Sequence, residues 1–522
     1  KKHSLAGLVG FSIEKYESDG LKASGSGFPD DQVLTNLNSA AKKNSISSSY
    51  SSNTLASFLS RLEYKFNNRY LLTLNFRADG SSQFGPDKRW GYFPSGAVAW
   101  IITEENFMKD YSNIVSYLKL RGSVGKTGSQ NLGAYDWRTL MGSATYNGAA
   151  GIVPSSLGND ILQWEEQIQK EVGLDYGFWD DRIRGTLGYY QKKVDNLLYS
   201  DPVPTSSSFS SVYQNIGSLK NRGIEFDVRV DIIKNVQKDL TWNVDFNIAR
   251  NRTTLEKLNS SDGYFGGGAY DYFKIEEGGE TGRFYGYKDA GRLFMTNEEL
   301  VGLKTVDPKT GTLKYYRDDY NYERQGDVYI MDLDGDGQIT ADGDRTVIGN
   351  ANPDFFGGFG STLYWKGLML NAVFSYSVGG DRFWDEEKNS SGDMNVYNTS
   401  NRILDSWTVN PGVNASYPRA MYYGWGSNSI ITDRYIHDAS YLRMTALNLS
   451  YRLPKHLYKN SILNAVEFTF QATNLFTWTK YPGMDPQGNF STTYSAFYNM
   501  GIDYSTYPSA RTYNFGIKLT LK

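Results

Sequence analysis

The chain has 522 residues with a formal net charge of −3, so nothing in its electrostatics argues for nucleic acid or for a basic membrane-surface mode. It contains no cysteine, which removes disulfides and thiolate metal sites, and 15% of it is aromatic, including 40 tyrosines. No apolar run approaches the ~20 residues of a transmembrane helix; a transmembrane β-barrel stays open, because its strands average an apolar face against a polar lumen. This aromatic content fits girdles at two membrane interfaces, and the rival at this point is a secreted β protein with aromatic-rich binding loops. Lys1 opens the chain with neither an initiator Met nor a signal peptide, as expected of a processed precursor or of a start inside a longer chain.

In chain order, Leu5 to Tyr16 reads as a strand, followed by a polar Ser/Asn/Lys-rich loop over 17–54. Phe58, Leu62, Tyr64 and Phe66 then oppose Arg61, Glu63 and Lys65. After Asn67-Asn68, the set Tyr70, Leu72, Leu74, Phe76 and Ala78 opposes Thr73, Asn75, Arg77 and Asp79. Gly91–Ile102, Val115–Gly125, Trp164–Trp179 and Arg182–Tyr199 follow. Next, Ile224, Phe226, Val228, Val230 and Ile232 alternate with Glu225, Asp227, Arg229 and Asp231. Beyond a turn near Val236, the run Leu240–Ile248 alternates likewise. Phe359–Trp365 turns at Lys366-Gly367 into Leu368–Val378, and Tyr441–Leu453, Val466–Phe476 and Arg511–Leu521 complete the set.

These make about fourteen strands of membrane length. Their connections alternate: short at Asn67, Asp180, Val236 and Lys366, long across 17–54, 129–162, 253–354, 380–434 and 477–510. Outer-membrane barrels sort loop length by end, with short periplasmic turns and long outer loops, and a soluble sandwich has no reason to do so. The predicted fold is therefore all-β, a transmembrane antiparallel barrel with long extracellular loops.

Within the 253–354 loop, Asp332, Asp334, Asp336 and Gly337 stand at positions 1, 3, 5 and 6 of an EF-hand-like calcium loop, with Gln338 offering its carbonyl at 7. Gly343 occupies position 12, where a bidentate Glu is usual, and Asp342 or Asp344 could close the shell after a local shift of one residue. Three carboxylates at this spacing repel one another without a cation, which favours structural calcium over a solvated acidic turn. Other outer loops carry aromatic clusters, Tyr264, Phe265, Tyr270, Tyr272 and Phe273, then Tyr422, Tyr423 and Trp425. They suit stacking on sugar rings or peptide side chains, or equally loop-on-loop packing.

Catalysis finds no constellation. His3, His437 and His456 lie in distant segments, and Gly263 to Gly268 lacks the Lys-Ser/Thr of a phosphate loop. The chain is expected not to be an enzyme.

Several stretches resemble one family, the SusC/RagA-like TonB-dependent outer-membrane transporters of Bacteroidota. They are Ala23-Ser-Gly-Ser-Gly-Phe28; Arg69-Tyr-Leu-Leu-Thr-Leu-Asn-Phe-Arg-Ala-Asp-Gly-Ser-Ser82 with Arg89-Trp-Gly-Tyr-Phe-Pro-Ser95; Leu118-Lys-Leu-Arg-Gly-Ser-Val-Gly-Lys-Thr-Gly-Ser-Gln-Asn131; and Asn221-Arg-Gly-Ile-Glu225. Asp332 to Asp336 leading to Ile348-Gly-Asn-Ala-Asn-Pro-Asp354, Tyr441-Leu-Arg443, Ala472-Thr-Asn-Leu-Phe-Thr477 and Arg511-Thr-Tyr-Asn-Phe-Gly516 continue it in the same order.

The resemblance implies a barrel of about 22 strands in the outer membrane of a Gram-negative bacterium, with an N-terminal plug and a TonB-contacting motif ahead of it. It also implies a SusD-like surface lipoprotein as lid and import of oligosaccharides or peptides. Plug, TonB motif and roughly eight early strands have no counterpart in this sequence, so residues 1–522 are expected to be the C-terminal part of such a barrel. The last residues, Leu519-Thr-Leu-Lys522, match the final strand, although the family more often ends on an aromatic. The alternative from another class is a passive porin-like or structural outer-membrane barrel, since fold does not fix function.

Overall fold

The computed structural model describes residues 2–235, 237–259, 264–266, 272–296, 305–306, 313–314, 325–337, 339–392, 399–409, 411–412, 415–420, 428, 430–459, 462–488 and 500–522. Fourteen strands form one sheet in which each pairs antiparallel with the next in chain order, from His3–Ser26 to Thr512–Leu521. Every expected strand has its counterpart in this meander, and its registers place charge and apolar side chains on opposite faces. Leu62 sits across from Leu74 while Arg61 faces Asn75 and Glu63 faces Thr73. Phe359 pairs with Phe374 and Leu363 with Leu370, their rings and branches stacked on the apolar side.

Among the described residues nothing packs over that apolar side. Val98 is 59% exposed and Phe515 81%, values that belong to a surface solvated by lipid chains. Charges on the other face pair with one another. Lys119 Nζ lies 3.0 Å from Asp175, Arg121 Nε 3.2 Å from the same carboxylate, and Arg121 also pairs with Glu171.

Tight turns close the strands at one end. Asn67 and Asn68 have φ of 51° and 57°, and Lys366 and Gly367 have 47° and 86°. Two successive left-handed residues give a turn whose twist matches that of the paired strands, which is why Asn and Gly stand there.

Three expectations are corrected. The 17–54 region is not all loop, because the first hairpin continues as His3–Ser26 paired with Lys42–Phe66. Both faces are polar there, so no alternation betrays the strand, yet pairing persists above the membrane with Tyr50 donating to Glu17 at 3.0 Å. The Arg182–Tyr199 strand is split: Ile183–Asp195 belongs to the wall, Asn196 turns left-handed, and Leu198–Pro202 pairs separately with Ser211–Asn215. Finally, Ile232 leaves the apolar row. A bulge lies between Asp231 and Ile233, so Ile233 rather than Ile232 faces Trp242.

The principal buried core lies in the loops. Leu219 and Leu255 at the outer ends of two wall strands pack with Phe273, Phe284, Phe383 and Tyr435 from the 253–354 and 380–434 connections. A barrel wall buries little of its own, so ordered loops above it need this separate core.

Candidate functional site

The long connections all leave the same end of the sheet, and their side chains define the mouth. A short sheet built from three segments ties two of them together: Asp381–Trp384 pairs antiparallel with Ile436–Asp438, from the far end of the same connection, and parallel with Ile502–Asp503 from the last one. Beneath it Glu387 is buried and receives His437 Nε2 at 2.6 Å, Arg402 Nη1 at 3.0 Å and the Tyr417 hydroxyl at 3.2 Å. His437 thus serves a loop-fixing network. The Glu387 charge stays buried because three donors surround it.

A second tie was not anticipated from sequence. Arg443, on the lumen face of Tyr441–Arg452, donates from Nη2 to Asp485 at 2.6 Å, from Nη1 to Gln487 at 2.6 Å and from Nε to Thr477 at 2.9 Å. Asp485 accepts the main-chain N–H groups of Gln487 and Ser509 as well. The 479–512 connection is thereby fastened to the wall from both of its ends. An arginine inside a lumen-facing row was the available signal, but its partner lies 42 residues away.

In the acidic loop the structure gathers Asp332, Asp334 and Asp344, with one oxygen of each within 4.8 Å of the others. The turn is set by Asp332, which accepts the N–H of Gly335 at 2.7 Å and of Gly337 at 2.8 Å, and by Gly337 at φ 81°. Asp344 reaches the group because a single helical turn, Ala341–Asp344, capped by Thr340, follows the loop. Its buried carboxylate accepts from Leu333 N at 2.7 Å and Thr340 N at 2.6 Å. Burial, then the neighbouring Asp334 and Asp332 charges, push the Asp344 carboxyl above the usual carboxylate range. Asp342 is exposed and outside this trio; the Asp336 N–H donates to Asp334 at 3.2 Å. Gln338 lies outside the described residues. Carboxylate oxygens converging around a glycine turn are the kind of hard donors that a calcium ion could take.

Of the aromatic candidates, Tyr272 is half-buried, stands edge-on to Phe383 at 4.7 Å and donates to Asp385 at 2.7 Å. Burial and the Asp385 charge raise its hydroxyl pKa. Phe273 is fully buried in the same core. These two build the mouth. Tyr264 and Phe265 lie in a short strand, Tyr264–Gly266, whose side chains are not described, and Tyr270, Tyr422, Tyr423 and Trp425 lie outside the described residues.

The family model for "TonB dependent receptor-like, beta-barrel" matches residues 5–475. TonB-dependent receptor P3 of Formosa agariphila is 32% identical over 540 residues, covering 99% of this chain and 50% of that protein. TonB-dependent receptor SusC of Bacteroides thetaiotaomicron is 32% identical over 483 residues, covering 90% and 44% respectively. The solved RagAB peptide transporter aligns at 27% identity with a TM-score of 0.78, covering 99% of this chain and 53% of that one. The chain spans about half the length of the curated relatives it matches.

Proposed function

This chain belongs to the TonB-dependent receptor-like β-barrel family, a family of outer-membrane transporters and not of enzymes, and from that premise we propose that it imports oligosaccharides or peptides. A SusD-like lipoprotein would close its mouth and the TonB complex would supply the energy. The observation that carries this reading is the likeness along 99% of the chain to a peptide transporter, combined with loops that share a buried core above an empty-faced wall. Uptake of fluorescent oligosaccharides and peptides by cells producing the full-length protein tests it. Uptake should stop when TonB is deleted or the proton-motive force collapsed. Uptake that persists under both conditions assigns the chain to passive porin-like barrels instead.

Tyr264, Phe265, Tyr270, Tyr422, Tyr423 and Trp425 are the proposed substrate-stacking set, with Tyr272 holding the loop behind them. Alanine at the stacking positions should weaken substrate about tenfold or more in sum, at ~1 kcal/mol per lost aromatic contact. Unchanged affinity in an equilibrium titration returns these residues to loop packing.

The acidic loop is proposed to hold one structural calcium ion through Asp332, Asp334 and Asp344, with Asp336, Gln338 and water as further oxygen donors. Asp334→Asn should lose calcium and keep the barrel, since wall strands pair independently of the loop. Calorimetric titration of the intact transporter decides: no heat at millimolar calcium returns these carboxylates to a solvated turn. The pH dependence has a definite sign. Calcium needs Asp344 ionised, and its raised pKa means that protons compete at pH values above the usual ~3.9 of aspartate. Affinity should therefore fall as pH is lowered toward that range, and earlier than for ordinary carboxylates.

A further inference from the structure

On the lumen side of the wall, directly under the loop sheet, lies a cavity of about 490 Å³. Its lining comes from four separate segments, including Phe356, Ser375, Arg382, Tyr441 and Gln487. Among its described lining residues there is one cation, Arg382, and no carboxylate.

Arg382 is unusual for a half-buried arginine. Its Nη1 donates only to main-chain oxygens, Asp381 at 3.0 Å and Ala351 at 3.4 Å, and its Nε is buried with no partner. Among the described residues no carboxylate reaches ion-pair distance of it. The acids nearest to it electrostatically are otherwise engaged. Asp503 accepts the Tyr481 hydroxyl at 2.8 Å and Thr506 N at 3.2 Å, and Asp381 accepts Asn350 N at 2.8 Å. Burial lowers the guanidinium pKa from its ordinary value, the signature of a charge short of compensation. Asp354, beside Gly379 on the rim, pairs with Arg252 at 3.0 Å.

The neutral groups in the cavity are also short of acceptors. Ser375 Oγ is buried and unpartnered. Gln487 is oriented by Arg443, whose Nη1 requires its carbonyl oxygen, so its Nε2 faces Tyr441 and donates to the hydroxyl at 2.6 Å. The Tyr441 hydroxyl is then an acceptor in that bond and keeps its own proton to give. One guanidinium without a carboxylate partner among the described residues and two spare O–H donors around one cavity leave donors without acceptors.

The geometry points to a receptor for a carboxylate group on the imported solute, held by Arg382 with Tyr441 and Ser375 as hydrogen-bond donors. A single guanidinium, partly balanced by Asp503 and Asp381, matches one negative charge and not two. This inference rests on the import reading above and narrows it: the transporter favours acidic solutes, whether the carboxylate is a peptide terminus or a uronate.

The test uses the full-length transporter with two matched probe pairs, a trialanine acid and its amide, and a triuronate and its methyl ester. In equilibrium titrations the charged member of at least one pair should bind about tenfold or more tightly than its neutral twin, the scale of one charge-assisted contact. Which pair shows the preference identifies the source of the carboxylate. Arg382→Met should reduce that ratio to near one, and Arg382→Lys should restore part of it. If Arg382→Met does not assemble, the double variant Tyr441→Phe with Ser375→Ala keeps the cation and should still cut the ratio severalfold. Equal binding of twins in both pairs overturns the carboxylate site, as does a preference that survives Arg382→Met or the double variant. In those cases TonB-dependent uptake of the neutral twins leaves the import reading standing, so the two failures are distinguishable.

Discussion

Replacing Arg443 by methionine is expected to destabilise the mouth by ~3–5 kcal/mol, the usual cost of removing one partner from a buried ion pair. The side chains of Arg443 and Asp485 are 5% and 7% exposed, so water cannot replace what is lost. Without the guanidinium, Asp485 keeps, among the described residues, the N–H groups of Gln487 and Ser509 against a buried charge. Thr477 and Gln487 lose their donor in the same step. Hydrogen exchange across 480–510 should rise while exchange in the Leu368–Val378 strand stays slow, because wall pairing does not pass through Arg443. Adding Asp485→Asn to Arg443→Met should recover part of the loss by removing the stranded charge. A single variant that exchanges like the parent would mean that the connection is held by other contacts.

The strands were legible because each crossing separates two solvents. Leu62, Tyr64 and Phe66 against Arg61, Glu63 and Lys65 can be sorted only one way, and the register followed. Legibility failed wherever that contrast ended. Ser45 to Ser52 carry no apolar face, so the paired extension of the first hairpin looked like loop. Ile232 continues the alternation and Ile233 does not, and only the backbone reveals the bulge that sets Ile233 opposite Trp242. At the site, spacing alone exposed the acidic loop, whose ligands are neighbours in sequence. The choice between Asp342 and Asp344 needed the helical turn that swings Asp344 inward. The Arg382 cavity was invisible in sequence, since its donors come from positions 375, 382 and 441 and are brought together by strand register and the loop sheet.

The assignment of faces can be tested at two adjacent residues of Ile183–Asp195. Leu187 lies in register with Phe226 on one side and Leu174 on the other, on the apolar face near the middle of the crossing. Gly188 lies beside Glu225 on the opposite face, and a side chain grown from it meets nothing within 4 Å. Leu187→Arg should cost ~2–4 kcal/mol, the price of a guanidinium at the bilayer midplane. Gly188→Arg should cost far less, because its charge enters the wet lumen beside a carboxylate and Gly188 is not one of the left-handed glycines. The two variants differ by one position and carry the same new residue, so propensity and expression effects largely cancel. Denaturant unfolding of the full-length protein in phospholipid measures the difference. Equal losses at the two positions, or the larger loss at Gly188, would place the charged face against lipid and reverse the inside and outside of the wall.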